Sequence, residues 1–267
     1  MAAESNKAKI AKRVVEVLDY FDDQHREATV MDIVRRYNRP QSSTSELLSS
    51  LVDLGLLYKD PYSRSYSLTP RAAMIGAVAQ PDFVRSGGLT TLVDRVTAQT
   101  GLSIAVFGMV GLNAQVFNFR LGARQMAAAN RVTLAKGLQE RLSSSAAGWL
   151  LLSTIPQPRR DGMIRRLNAE ASDDQKFSVS EMSERLNACI DHGLVRGMAG
   201  FGSSVETCAI LLPNQPENRP MAIGFVYEPS VRVEERGLVD CLREAVRRSN
   251  APSETVPNSV QRLPSAA

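Results

Sequence analysis

Histidine occurs twice and cysteine three times in 267 residues, which leaves little material for metal or acid–base chemistry. Cys189, Cys208 and Cys241 are an odd number without metal-ligand spacing, a pattern of reduced, mostly buried thiols rather than of a disulfide framework. No nucleophile elbow, Walker loop or paired-histidine motif is present, so neither a metal nor a cofactor is expected and a non-enzyme is the leading expectation. Long hydrophobic runs are missing as well. The longest, at 103–112 and 149–155, are about half of the roughly 20 residues that a membrane span requires. Residues 1–7 lack the apolar segment of a signal peptide, and a cytoplasmic location without membrane association is expected. A net charge of +4 permits nucleic-acid binding without requiring it.

What is present is a stretch, 38–57, with the pattern of a short polar helix carrying one apolar stripe. Pro40 fits at or just before a first helical turn, where Ser42 or Ser43 can accept from unpaired amides, and Ser43 with Glu46 has the spacing of a capping box. Leu47, Leu48, Leu51 and Leu54 recur at helical spacing toward a small core, and Gly55 stops the helix. The opposite face is then Gln41, Thr44, Ser45 and Ser49, short hydrogen-bonding side chains suited to phosphates and base edges, or merely to water.

The flanks decide between those readings. Ile10, Val14, Val17, Leu18 and Phe21 predict a first helix over 10–21, and Thr29 caps a second that turns Val30, Ile33 and Val34 inward and ends near 37–38. Two helices across so short a turn make a helix-turn-helix. Residues 56–58 and 66–68 read as strands around a turn at 60–65, which adds a wing. Basic residues gather at Lys7, Lys9, Lys12 and Arg13, at Arg35, Arg36 and Arg39, and at Arg64, matching an N-terminal arm, the turn before the reading helix and the wing tip; scattered solvated charge is the alternative. On this reading Gln41, Ser42, Ser43, Thr44, Ser45 and Ser49 meet or approach a major groove, and Arg36, Arg39 and Arg64 meet phosphates.

A mostly apolar helix at 71–80, with Ala73, Met74, Ala77 and Val78 on one face, reads as a linker that packs on a partner helix or on its own domain. Beyond a helix at 88–100, strands are predicted at 103–109, 115–121, 132–136, 194–199, 206–212 and 221–227, and helices at 144–154, 159–171, 178–191 and 234–249. That order suggests an antiparallel sheet with helices packed on its faces, an α+β domain. The segment 197–202 is glycine-rich but lies between two strands, so it reads as a turn or lid and not a phosphate cradle.

This order of parts resembles the IclR family of bacterial transcriptional regulators over about 9–249. The family's reading-helix pattern is similar to Pro40-Gln41-Ser42-Ser43-Thr44-Ser45-Glu46-Leu47-Leu48 with Leu51, Leu54 and Gly55, its wing to Tyr66-Ser67-Leu68, and its glycine-rich helix entry to Ser145-Ala146-Ala147-Gly148. The resemblance implies a winged helix-turn-helix DNA-binding domain at 1–70, a linker helix at 71–85 and a GAF-like effector-binding and oligomerisation domain at 86–250. Composition adds a disordered tail at 251–267. The resemblance further implies a homodimer or dimer of dimers on a palindromic operator in double-stranded DNA, controlled by a small-molecule effector.

Three departures from the family stand out. Glu46 occupies a position usually held by Arg, which removes or inverts a phosphate contact; the capping box or acceptance from a cytosine amino group would account for it. Trp149 replaces a commonly basic residue. Where relatives place hydroxyls on the last strand, this chain has Phe225 and Tyr227, beside the apolar segment 209–212. The resemblance therefore implies an apolar or aromatic acid as effector, lined by Phe107, Phe119, Trp149, Cys208, Ile210, Phe225 and Tyr227, with its carboxylate on the amides of Ala146 and Ala147; the alternative for Phe107, Phe119, Trp149, Phe225 and Tyr227 is that they are simply core. Two rival readings make the second domain either an enzyme using Cys208 or Cys189 with His192, or a degenerate effector domain that only holds the dimer together.

Overall fold

The structure, a computed structural model, describes residues 6–22, 25–77, 81–124, 126–215, 219–231 and 233–250. The chain divides into two compact units, Met1–Arg85 and Ser86–Ala267. The proposed tail at 251–267 lies outside the described residues, as does Val78 of the linker face.

The first unit comprises α1 (Asn6–Tyr20), α2 (Val30–Tyr37), α3 (Gln41–Asp53), β1 (Leu57–Lys59), β2 (Tyr66–Leu68), α4 (Pro70–Ala77) and α5 (Asp82–Arg85). Thr29 caps α2 through a complete capping box with Asp32, and Asn38 ends it in the left-handed conformation. Three residues then separate α2 from α3. Gly55, at φ +70°, turns the chain out of α3 into the antiparallel β1–β2 pair. Val17, Ile33, Leu48, Leu51, Leu57 and Tyr66 meet in one small core. Leu54, placed inward by periodicity, is 60% exposed, at the C-cap where α3 ends before the glycine turn.

The second unit holds α6 (Gly88–Thr100), β3 (Ser103–Val110), β4 (Asn113–Arg120), α7 (Ala128–Thr133), β5 (Gln139–Arg141), α8 (Ala146–Ser153), α9 (Arg159–Ala169), α10 (Val179–His192), β6 (Leu194–Met198), β7 (Glu206–Leu211), β8 (Met221–Tyr227) and α11 (Glu235–Asn250). Its sheet is antiparallel throughout, in the order β5-β4-β3-β8-β7-β6. Helix α8 lies on one face, covered in turn by α10, while α6 and α11 pack on the other. This is the expected α+β architecture.

One strand is misplaced by sequence. The β-branched run at 132–136 begins inside α7, and the strand forms at Gln139–Arg141 instead. A three-residue edge strand paired on one side needs neither alternation nor β-branched residues, so nothing in its composition marks it.

Candidate functional site

In the first unit the candidate surface is the outward side of α3. Thr44, Leu48 and Leu51 are buried, so the opposite stripe is Ser42, Glu46, Ser49 and Asp53, one turn apart and all exposed. Gln41 is exposed beside this stripe and Ser45 is half-buried. Thr44 is a correction to the expected groove-facing set. It is 1% exposed, and its hydroxyl donates to the Pro40 carbonyl at 2.9 Å, so a helical wheel centred one residue too far round had turned it outward.

The predicted capping box of α3 is also absent. Pro40 is the N-cap and supplies no side-chain cap, and Ser43 donates to the Pro40 carbonyl and accepts from the Arg13 guanidinium at 3.2 Å. Glu46 therefore has no capping role. Its carboxylate makes no ion pair or hydrogen bond among the described residues and sits in the middle of the outward stripe.

The basic residues divide in two. Arg39 is committed within the unit: its guanidinium donates to both Glu16 carboxylate oxygens, at 3.0 and 3.1 Å. Tyr37 donates to the Glu16 carbonyl at 2.7 Å, so the turn before α3 is clamped to α1 and Arg39 serves that clamp. Arg36 and Arg64 are exposed. Arg64 sits at φ +57° in a wing tip whose fold is set by Asp60, which accepts from the amides of Tyr62 and Ser63 at 2.7 and 2.9 Å. Those bonds hold the Asp60 carboxyl below its usual range. Sequence reasoning passed over Tyr62, which is 95% exposed beside Arg64; its signal was an aromatic inside a turn motif.

In the second unit the expected effector lining falls on two faces of the sheet. Phe107, Phe119, Ala146, Ala147 and Trp149 belong to or pack against the core beneath α8. The same core takes Ala209, Ala222 and Val226 from β7 and β8. Cys208, Ile210, Phe225 and Tyr227 alternate with these and point to the α6/α11 face, so they cannot line a site with Phe107. The α8-facing positions are Thr207, Ala209, Ala222, Gly224 and Val226; a Cβ on Gly224 would lie 2.7 Å from that of Ala209 and 2.8 Å from the Thr207 hydroxyl. A slip of one residue exchanges the faces, and the period-two row of small residues was the signal that fixes the register.

Helix α8 opens as expected. Ser145 is its N-cap and accepts from the Gly148 amide at 3.2 Å, leaving Ala146 and Ala147 to present first-turn amides. Gly148 is required by packing, since a Cβ there would lie 2.4 Å from the Leu142 carbonyl oxygen. Sequence reasoning missed Glu140. One of its oxygens accepts from the Phe201 amide at 2.7 Å, and that oxygen and the Ser145 Cβ are the nearest atoms to a Cβ built on Gly200. The Phe201 ring stacks on Phe107 with centroids 5.9 Å apart. Burial pushes the Glu140 carboxyl up. The glycine-rich segment at 197–202 is thus the end of β6 and the start of the β6–β7 turn that delivers Phe201 to this rim.

The Cys/His alternative finds no support. Cys208 is fully buried and His192 is exposed at the end of α10. Burial pushes the Cys189 thiol up to about 11, opposite to an activated nucleophile. No helix is long and apolar enough to cross a membrane among the described residues.

A winged helix-turn-helix followed by a separate antiparallel sheet with helices on both faces defines a two-domain architecture, a helix-turn-helix module joined to a second folded unit. Residues 11–61 match the model of the IclR helix-turn-helix domain, and the fold is similar to those of solved IclR transcriptional regulators. The IclR transcriptional regulator of Alicyclobacillus acidocaldarius is 19% identical, with a TM-score of 0.56 over 93% of this chain and 99% of that one. The Thermotoga maritima IclR is 13% identical, with a TM-score of 0.56 over 90% and 97%. An IclR homologue from Microbacterium hydrocarbonoxydans, solved with 4-hydroxybenzoate, is 16% identical, with a TM-score of 0.55 over 90% and 97%. No curated protein sequence matches significantly.

Proposed function

We propose that this protein regulates transcription by binding double-stranded DNA through α3 and the wing, under control of an apolar, aromatic acid bound in the second unit. The observation that carries the DNA reading is the exposed hydroxyls of α3, Ser42 and Ser49, interleaved with Glu46 and Asp53 on a helix whose opposite side is the core of a winged helix-turn-helix. Gln41, Ser42, Ser45 and Ser49 read base edges, Arg36 and Arg64 neutralise phosphates, and Glu46 accepts from a cytosine amino group. Binding as a homodimer makes the operator palindromic. In an electrophoretic shift with the DNA flanking its own gene, the protein is expected to retard one duplex selectively; uniform affinity for all duplexes at fixed salt would sink the reading.

For the effector, the stacked Phe107 and Phe201 rings beneath α8 support an aromatic ligand, as does the 4-hydroxybenzoate carried by a fold relative. The first amides of α8, at Ala146 and Ala147, are the donors for its carboxylate. Glu140 opposes an anion there, so the acid binds more tightly when Glu140 is protonated or replaced by Gln. A thermal-shift series of benzoate, benzamide and benzylamine tests this, with the acid expected to stabilise most. Stabilisation by the amine alone would reverse the assignment.

A further inference from the structure

A groove of about 770 Å³ crosses the outer edge of the second unit's sheet, where β6 has a neighbouring strand, β7, on one side only. Four arginines line it from three elements: Arg185 from α10, Arg196 from β6, and Arg236 and Arg243 from α11. Among the described residues that line it, Asp191 is the only carboxylate. Trp149 closes the α8 end, its indole fixed by donation to the Ser143 carbonyl at 2.8 Å, and the Arg185 guanidinium lies 4.8 Å over its ring. Arg243 is held by donation to the His192 carbonyl at 2.9 Å.

This arrangement concentrates positive charge on one concave surface. Arg236 stands in the first turn of α11, where the helix dipole already presents positive charge. Neither Arg185 nor Arg236 makes an ion pair among the described residues. Like charges gathered in a concave surface raise the local potential and attract an anion. The volume falls within the roughly 300–1,000 Å³ of small-molecule sites. Guanidinium forks match the paired oxygens of a phosphate group.

We propose that this groove is a binding site for a small phosphate-bearing polyanion, held by Arg185, Arg196, Arg236 and Arg243 and separate from the aromatic site beneath α8. The charge is concentrated in a pocket and not drawn out along a stripe, which favours a compact phosphate ester over duplex DNA. Arg185 is presented by its stacking on Trp149, so less side-chain freedom is lost when the ligand binds.

The test is calorimetric titration of the full chain at constant ionic strength with inorganic tripolyphosphate, and with citrate as the carboxylate counterpart. Tripolyphosphate is expected to bind, and citrate at least tenfold more weakly. The double variant Arg185→Ala/Arg236→Ala, which spares the α10 contact of Arg243, is expected to weaken binding at least tenfold without moving the melting temperature. Asp191→Asn is expected to tighten it severalfold, a gain that a folding defect cannot produce. Equal binding of both polyanions, unchanged binding in the double variant, or a double variant that instead loses duplex DNA affinity would each overturn the proposal.

Discussion

The reading helix α3 and the strand pair β7–β8 were read from sequence by the same kind of reasoning and with different success. On α3 a misplaced centre of one residue rotates the face by about 100°, so Ser42 and Ser49 stayed outside, Ser45 fell on the half-buried flank and Thr44 was lost to the core. On β7–β8 the same slip rotates the face by 180° and moves Cys208, Ile210, Phe225 and Tyr227 together to the wrong side. Surface helices forgive a register error; buried strands do not. The α3 face meets solvent and can be read from its polarity. Both faces of β8 are buried, so its apolar residues Met221, Ile223, Phe225 and Tyr227 say nothing about which side holds a ligand.

The sharpest way to test this contrast is to place one change where the backbone decides. Gly148→Ala drives a methyl into the Leu142 carbonyl and is expected to destabilise the second unit by about 1–3 kcal/mol in chemical denaturation. Gly162→Ala, on α9 with open space around its Cβ, is expected to stabilise by about 0.5–1 kcal/mol. Loss of stability in both would mean that α8 is not held by close approach.

Arg39 and Arg36 make the matching pair in the first unit. Arg39→Ala breaks the part-buried clamp to Glu16 and is expected to lower stability by about 1 kcal/mol. Arg36→Ala is expected to leave stability alone and reduce the salt slope of DNA binding by about 1. Equal salt slopes for the two variants would show that Arg39 reaches phosphate after all. At Glu46, substitution by Gln is expected to relax preference at one base pair, by about 1 kcal/mol, without altering the melting temperature.

What was legible in the sequence follows from these cases. The helix-turn-helix, the wing and the glycine-marked entry to α8 were readable because each has a local chemical signature: Thr29 before Val30, Gly55 after Leu54, Ser145 to Gly148 before the apolar helix. Glu140 and β5 were not, since their places depend on a partner far along the chain, the Phe201 amide for one and β4 for the other. The basic groove was invisible for the same reason. Arg185, Arg196, Arg236 and Arg243 span nearly sixty positions, and only the fold of α10, β6 and α11 brings them together.

The smallest expected effect belongs to Glu140, and its sign separates the inward-facing site from the outward one. Burial raises the Glu140 carboxyl above its ordinary value, with the Phe201 amide only partly offsetting it. A carboxyl raised in the folded state contributes stability that is fully present below its unfolded pKa, near 4.5, and lost as pH rises through the folded value. Asp60, Glu170 and Glu244 behave in the opposite sense: turn amides at Asp60 and arginine partners at the two glutamates hold their carboxyls down, Glu244 to about 2, and their contribution is lost as pH falls. The total pH profile mixes the two kinds, so the informative quantity is the difference between Glu140→Gln and the parent chain. Glutamine keeps an acceptor for the Phe201 amide and does not ionise. Its advantage in melting temperature is therefore expected to grow as pH rises from about 4.5 and then level off. A difference that shrinks over that window would mean that the folded protein favours the charged form of Glu140, and the rim beside α8 would then accept a cation more readily than an acid.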